Sequence, residues 1–243
     1  MRVILFADGL VGKNITQYLL EEYKVDIISI IAITENEITE LARNYNIPYC
    51  LYDSTTAIST TINYSFDLGI LAWWPKIIKI DLIKKAKRGF LNTHPSFLPY
   101  NRGKHYNFWA LVEQVPFGVT LHMVDRGIDT GPIISQKKIE YDWLDNGQSL
   151  YEKAQQEMIS LFKETYPVLR NGDVATKQQN DIEGSFHHSS EIHSKSKIEL
   201  DEEYVARDLL NLMRARTFTG HPSCWFEDGE KQYEVSIKIN KIE

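Results

Sequence analysis

An amide, an imidazole and a carboxylate stand at the ends of apolar runs near the middle of this chain. Asn92-Thr93-His94-Pro95-Ser96-Phe97-Leu98-Pro99 is followed by Val119-Thr120-Leu121-His122 and by Asp125-Arg126-Gly127-Ile128-Asp129-Thr130-Gly131. Together such groups can hold an oxyanion, move a proton and orient the mover, which is the chemistry of acyl transfer to an amine. The Asn92 amide can donate to a developing oxyanion, an interaction worth roughly 2.7–4 kcal/mol in a transition state. An imidazole at position 94 titrates near neutrality and can take the proton of an attacking amine. Pro95 and Pro99 restrict the backbone that follows it. Asp129 can hold the resulting imidazolium or relay its proton through water. Asn, His and Asp are also ordinary turn residues beside Pro and Gly, so spacing and flanks carry the case.

These residues need elements to position them. Residues 2–7, 27–33, 66–72 and 89–92 form continuous apolar runs, the mark of parallel strands covered on both faces. Helical patterns alternate with them, the first following the 8–12 turn and running to about 23, the others over 37–45 and 80–87. The alternation predicts a doubly wound, mostly parallel α/β sheet of Rossmann-like form. Ligands in such sheets bind outside the carboxyl ends of the strands, so the loops after Ala7, Ala72 and Asn92 face one crevice. Gly9 and Gly12 open the first helix, whose free N–H groups suit an anion. The glycines lack a Gly-x-Gly pair, so a dinucleotide fingerprint is absent even with Glu35 beyond the second strand.

Beyond a helix at 106–113, runs at 118–124 and 133–139 read as two strands joined by the 125–131 loop, and a long helix covers 147–169. The polar, Gln/Ser/His-rich stretch 171–199 reads as a connector. A helix at 202–214 and strands at 224–226 and 233–239, turned by Asp228-Gly229, form a small appendage. The expected organisation is thus a domain over 1–170, the connector, and a helix plus β-hairpin subdomain over 200–243.

The 243 residues carry a net charge of −6 without a basic block, which disfavours a nucleic-acid partner. Cys50 and Cys224 lie far apart with neither metal nor redox spacing, so reduced thiols and no metal are expected. The start lacks a signal h-region, and apolar runs fall short of the roughly 20 residues of a membrane span. The expectation is a soluble cytoplasmic protein.

Asn-x-His-Pro-Ser-x-Leu-Pro, Gly-Val-Thr-x-His and Asp-x-Gly-x-Asp-Thr-Gly, in this order, resemble the 10-formyltetrahydrofolate-dependent formyltransferase family over about two thirds of the chain. The resemblance implies that Asn92, His94 and Asp129 are the catalytic trio. It implies a 10-formyltetrahydrofolate donor whose pterin ring is gripped by the 72–78 segment, with Trp74, Lys76, Ile77 and Ile78, and by Val124, Asp125 and Asp129. The stretch from Asn101 to Trp109 is similar to the sugar-nucleotide branch, whose members formylate a dTDP- or UDP-linked amino-sugar used in lipopolysaccharide. Arg102, Lys104, His105 and Trp109, with Gly9 in the first loop, are the implied substrate contacts, and the first cations suit a pyrophosphate. Within that branch, dTDP-4-amino-4,6-dideoxyglucose for O-antigen synthesis is the favoured acceptor, and a homodimer through the tail is allowed. The same resemblance leaves open glycinamide ribonucleotide or methionyl-tRNA as acceptor, or hydrolysis of the donor. A non-catalytic folate or nucleotide-sugar binder is the reading from a different class.

Overall fold

The computed structural model describes residues 1–53, 62, 64–172, 174–180 and 183–242. The apolar runs become strands β1 (Val3–Ala7), β2 (Ile27–Ala32), β3 (Tyr49–Leu51), β4 (Leu68–Ala72) and β5 (Phe90–His94). With β7 (Phe117–Met123) and β8 (Ile133–Ile139) they build one seven-stranded sheet in the order β3-β2-β1-β4-β5-β7-β8. β1 is buried along its whole length and pairs in parallel with both β2 and β4. β5 continues the parallel run beside β4, and β7 then pairs antiparallel to β5. The mostly parallel sheet with flanking helices is the architecture the apolar runs predict.

Helices α1 (Gly9–Glu22), α2 (Glu37–Asn44), α3 (Ile80–Ile83) and α5 (Gly147–Asn171) accompany the large sheet, and α4 (Tyr106–Glu113) lies between β5 and β7 in sequence. α3 stops well short of Lys87, because the chain beyond it returns to bridge Phe66, with the Lys87 N–H donating to the Phe66 carbonyl at 2.9 Å. Later elements are the short ribbon of β6 (Arg102–Gly103) and β9 (Phe186–His187), then α6 (Glu191–Lys195), α7 (Ala206–Ala215) and the hairpin β10 (Cys224–Asp228)–β11 (Lys231–Val235). The hairpin turns through Gly229 at φ +61°, as the Asp-Gly pair predicts.

The chain resolves into two compact units. The first comprises Met1–His94, Thr120–Gln136 and Met158–Gln179. Its interior holds Phe6, Phe66, Trp74 and Phe90 in edge and tilted contacts at 5.4–5.8 Å. Gly69 is required there, since a Cβ would lie 2.2 Å from the Phe90 ring. The second unit comprises Pro95–Val119, Lys137–Glu157 and Asn180–Glu243. In it α4 packs against α7, and Gly147 admits the Ala215 carbonyl where a Cβ would meet it at 2.2 Å. The Arg214 guanidinium, buried in this unit, donates to the carbonyls of Asp142 and Asp145.

Asp26 anchors the first unit from inside, its side chain 1 % exposed. Burial works to raise its pKa, yet the Arg170 guanidinium at 2.6 and 3.1 Å and the Met1 ammonium at 3.1 Å outweigh it and hold the carboxyl below its ordinary value. Because the folded pKa is the lower one, this pairing stabilises the fold above about pH 3.9, the unfolded value, and is lost as pH falls through the folded pKa. Asp26→Asn should cost about 2 kcal/mol at pH 7, less than a fully buried pair because Arg170 keeps 34 % of its surface in water. Urea denaturation at pH 7 and pH 3 checks this, with the gap between the two proteins narrowing at the lower pH.

Candidate active site

Antiparallel pairing of β5 with β7 sets Asn92 directly opposite His122 and His94 opposite Thr120. Side chains alternate along a strand, so these four share one face of the sheet. Thr93, between them, turns the other way. Its hydroxyl donates to the Leu71 carbonyl at 3.0 Å and accepts from the Trp73 N–H at 2.8 Å. That pair of bonds fastens the end of β4 to β5 and holds Trp73 in a left-handed turn, φ +58°. The 73–78 loop therefore leaves the sheet beside the strand that carries Asn92 and His94.

Asn92 Nδ2 donates to His122 Nε2 at 3.1 Å and lies 3.4 Å from Asp129 Oδ1. The other nitrogen of His122, Nδ1, sits 2.9 Å from the Met123 carbonyl, which can only accept. His122 is thus assigned the tautomer with its proton on Nδ1 and the Nε2 lone pair aimed at Asn92. His94 Nδ1 lies 3.4 Å from Asp129 Oδ2, and the ring is almost wholly buried. Assigning the proton of a neutral His94 to Nδ1, toward the carboxylate, leaves the lone pair on Nε2. Asp129, 14 % exposed, stands beside an amide and two imidazoles. Contacts near 3.4 Å are long for hydrogen bonds, and catalytic contacts commonly tighten once substrate is in place.

The loop that presents Asp129 is organised by its own sequence. Asp125 Oδ1 accepts from the Gly127 N–H at 3.0 Å and from the Thr130 hydroxyl at 2.7 Å. Its base is tied by Val124 N–H to the Phe90 carbonyl at 2.7 Å and Met123 N–H to the Pro132 carbonyl at 2.8 Å. Gly131 passes so near the Met123 carbonyl that a Cβ would lie 1.7 Å from its oxygen. Asp129 adopts φ +56°, left-handed and unusual for a residue with a Cβ. β7 runs opposite to β5, so the loop starts beside Phe90 and must fold back to bring Asp129 to Asn92 and His94.

The remaining first-unit residues singled out in the sequence take varied positions. Trp74 and Ile78 are interior, with Trp74 edge-on to Phe6 and Tyr52. Lys76 and Asp125 are exposed, Ile77 is 79 % exposed and Val124 half-buried. Gly9, at φ +59°, leaves a position whose Cβ would lie 3.6 Å from the Trp73 ring. Glu35 is occupied by Arg43, Tyr49 and Thr39.

In the second unit Arg102 is buried in the β6–β9 ribbon and Lys104 is exposed. Trp109 is interior, its ring stacked on His187 at 3.7 Å between centroids. His105 caps α4 at φ +60°. Burial lowers its pKa, and the charges of Arg216, Lys104 and His221 lower it further against a bond to the Ser189 backbone. Two residues without an assigned role join the first-unit site. His122 belonged to a quoted motif, but only strand register shows that it meets Asn92. Gln179 sits in the polar connector, where nothing in the sequence distinguishes it. Among the described residues no group of three or more His, Cys, Asp or Glu side chains is arranged to hold a metal. No helix among them is long and apolar enough to cross a membrane.

The formyl transferase family model matches residues 35–165, more than half of the chain and all of the loops just described except the first. The chain belongs to the formyl transferase family. A second model, the N-formyltransferase dimerization C-terminal domain, matches residues 191–241. The dTDP-4-amino-4,6-dideoxyglucose formyltransferase of Mycobacterium bovis is 29 % identical over 149 residues, 61 % of this chain and 63 % of that protein. The match so spans less than two thirds of that relative's length. Among solved structures, a sugar N-formyltransferase from a Shewanella species superposes with a TM-score of 0.81 at 19 % identity, covering 100 % of this chain and 99 % of that one. An N-formyltransferase from Helicobacter canadensis, solved with folinic acid and dTDP-3-aminofucose, gives 0.71 at 19 % identity over 98 % and 96 % of the two chains. These likenesses establish the fold.

The close approach at Gly131 makes a sharp prediction for this formyl transferase loop. Gly131→Ala should destabilise the protein by about 1–3 kcal/mol, as overpacking does. Thermal denaturation measures the loss, and amide exchange should quicken first over residues 124–131.

Proposed function

We propose that this protein transfers a formyl group from 10-formyltetrahydrofolate to the amine of a nucleotide-linked amino-sugar. The observation that carries the reading is Asp129 within 3.4 Å of both His94 and Asn92, in a chain of the formyl transferase family. The donor supplies a formyl group on a nitrogen that can depart. His94 Nε2 takes the proton released as the amine attacks the formyl carbon and returns it to the departing nitrogen. Asp129 stabilises the imidazolium that exists in between. Asn92 exchanges its long contact with Asp129 for a shorter one to the developing oxyanion, keeping its bond to His122. The pterin is assigned to the 73–78 and 124–129 loops. Exposed Ile77 and half-buried Val124 offer apolar surface there and the backbone offers polar groups, a combination that fits a flat heterocycle.

For the acceptor, the reading is dTDP-4-amino-4,6-dideoxyglucose, the formamido product passing to O-antigen synthesis. Support comes from the mycobacterial relative's named substrate and from the dTDP-sugar in the Helicobacter canadensis enzyme. The second unit offers suitable cations. Arg216 has a buried Nε without a protein partner among the described residues, and His105 faces Arg216, Lys104 and His221. A chain of rings runs from Tyr106 through Tyr151 and Phe218 to His221, with centroids 4.8–6.5 Å apart, beside these charges. We assign the diphosphate to this cluster. The 191–241 segment is proposed to pair two copies of the chain, in keeping with the dimerization domain it matches.

Incubation with 10-formyltetrahydrofolate and the amino-sugar nucleotide should give a product heavier by one formyl group in place of one hydrogen. Asn92→Ala or His94→Ala should lower turnover by about a hundredfold to a thousandfold while donor binding persists. Absence of product with every dTDP- or UDP-linked amino-sugar tried would remove the reading. Arg216→Gln should weaken dTDP binding roughly tenfold to a hundredfold. His105, held neutral by burial and its cationic neighbours, should take up a proton when the dianion arrives. Binding enthalpy should therefore vary with the buffer's ionisation enthalpy near pH 7, and His105→Gln should abolish most of that variation.

A further inference from the structure

Gln179 lies outside every sequence motif, yet its side chain ends at the loop that presents Asp129. Its single amide nitrogen donates to the Asp129 carbonyl and to the Gly131 carbonyl, each at 2.8 Å. A primary amide carries two hydrogens, so one side chain supplies both bonds. The backbone that carries it is itself fixed, because Ile133 and Lys177 exchange reciprocal N–H to carbonyl bonds of 2.8 Å. Asp125 organises the earlier part of the loop through Gly127 and Thr130. Gln179 instead acts on the peptides around Asp129, where φ is +56° and an L-residue stays only under constraint.

We infer that Gln179 is the positioning residue for Asp129, clamping the carbonyls on either side of Thr130 so that the carboxylate stays within reach of Asn92 and His94. Without the clamp these two carbonyls lose the bonds to Gln179, and the 129–130 peptide is less restrained. The carboxylate then leaves its 3.4 Å contact with His94. A residue 50 positions beyond Asp129 and 48 beyond Gly131 would in this way set the geometry of the acid–base pair. The catalytic consequence rests on the proposed roles of Asp129 and His94, whereas the effect on His94 ionisation needs only the geometry.

Two variants test this, Gln179→Ala and the size-matched Gln179→Met, neither of which can donate. Turnover should fall roughly tenfold to a hundredfold, the range seen when supporting hydrogen bonds are removed, with KM for the sugar nucleotide unchanged. Adding Gln179→Ala to Asp129→Asn should cost little more than Asp129→Asn alone, since the two act on one contact. The second readout is the His94 imidazole followed by NMR across pH. Groups facing it include Asp129 and, at 6.1 Å between ring centroids, His122. A nearby carboxylate favours the imidazolium, so displacing it should lower the His94 pKa toward its value in Asp129→Asn. A His94 titration that is unchanged in a folded Gln179 variant overturns the inference, as does full additivity with Asp129→Asn. If the wild-type protein formylates none of the sugars tried, the proposed function fails and the titration still decides the role of Gln179.

Discussion

The register between β5 and β7 is the constraint on which the candidate site depends. Once Asn92 is paired with His122 and His94 with Thr120, an amide and two imidazoles are committed to one face of the sheet. A slip of one residue would turn all of them to the opposite face. Thr93 occupies that other face and uses it to hold the start of the 73–78 loop. Consecutive residues of one strand thus serve two ends, with the odd position binding the scaffold and the even positions presenting chemistry.

The carboxylate arrives by a different route. Asp129 is carried on a loop that begins at the far end of β5 and has to return, and short polar contacts bring it back. Asp125 accepts from two groups within the loop, Gly131 allows the backbone to press on the Met123 carbonyl, and Gln179 closes the turn from outside. The left-handed backbone at Asp129 is the strain this arrangement tolerates. Asn92 then stands between two acceptors, His122 Nε2 and Asp129 Oδ1, with unequal contacts of 3.1 and 3.4 Å. The unequal lengths accord with the role proposed for Asn92, in which it keeps one partner and releases the other.

The second unit brings several cationic side chains together. Arg214 spends its guanidinium on backbone carbonyls and so is structural, while Arg216, two residues on, keeps a buried Nε without a protein partner among the described residues. His105 faces Arg216 across a cluster of like charges. Trp109, which the sequence presents as a substrate contact, has its ring against His187 in the interior. Two aromatic or cationic residues close in sequence can therefore differ wholly in what they meet.

From sequence alone, the run and spacing of apolar residues were enough to determine the parallel sheet, because strands buried on both faces must read as unbroken apolar segments. The trio was legible too, since Asn92 and His94 alternate at a strand end and Asp129 lies in a motif of Asp and Gly with evident turn chemistry. The resemblance then pointed to a formyl group. Tertiary structure alone decided which strand β5 meets and in which direction, because pairing partners and register are set by non-local packing. That is why His122 gained its place beside Asn92 and why the 125–131 loop had to fold back. Gln179 was invisible for a similar reason: a glutamine in a polar stretch carries no local signal, and its role comes from two carbonyls distant in sequence that share its one amide.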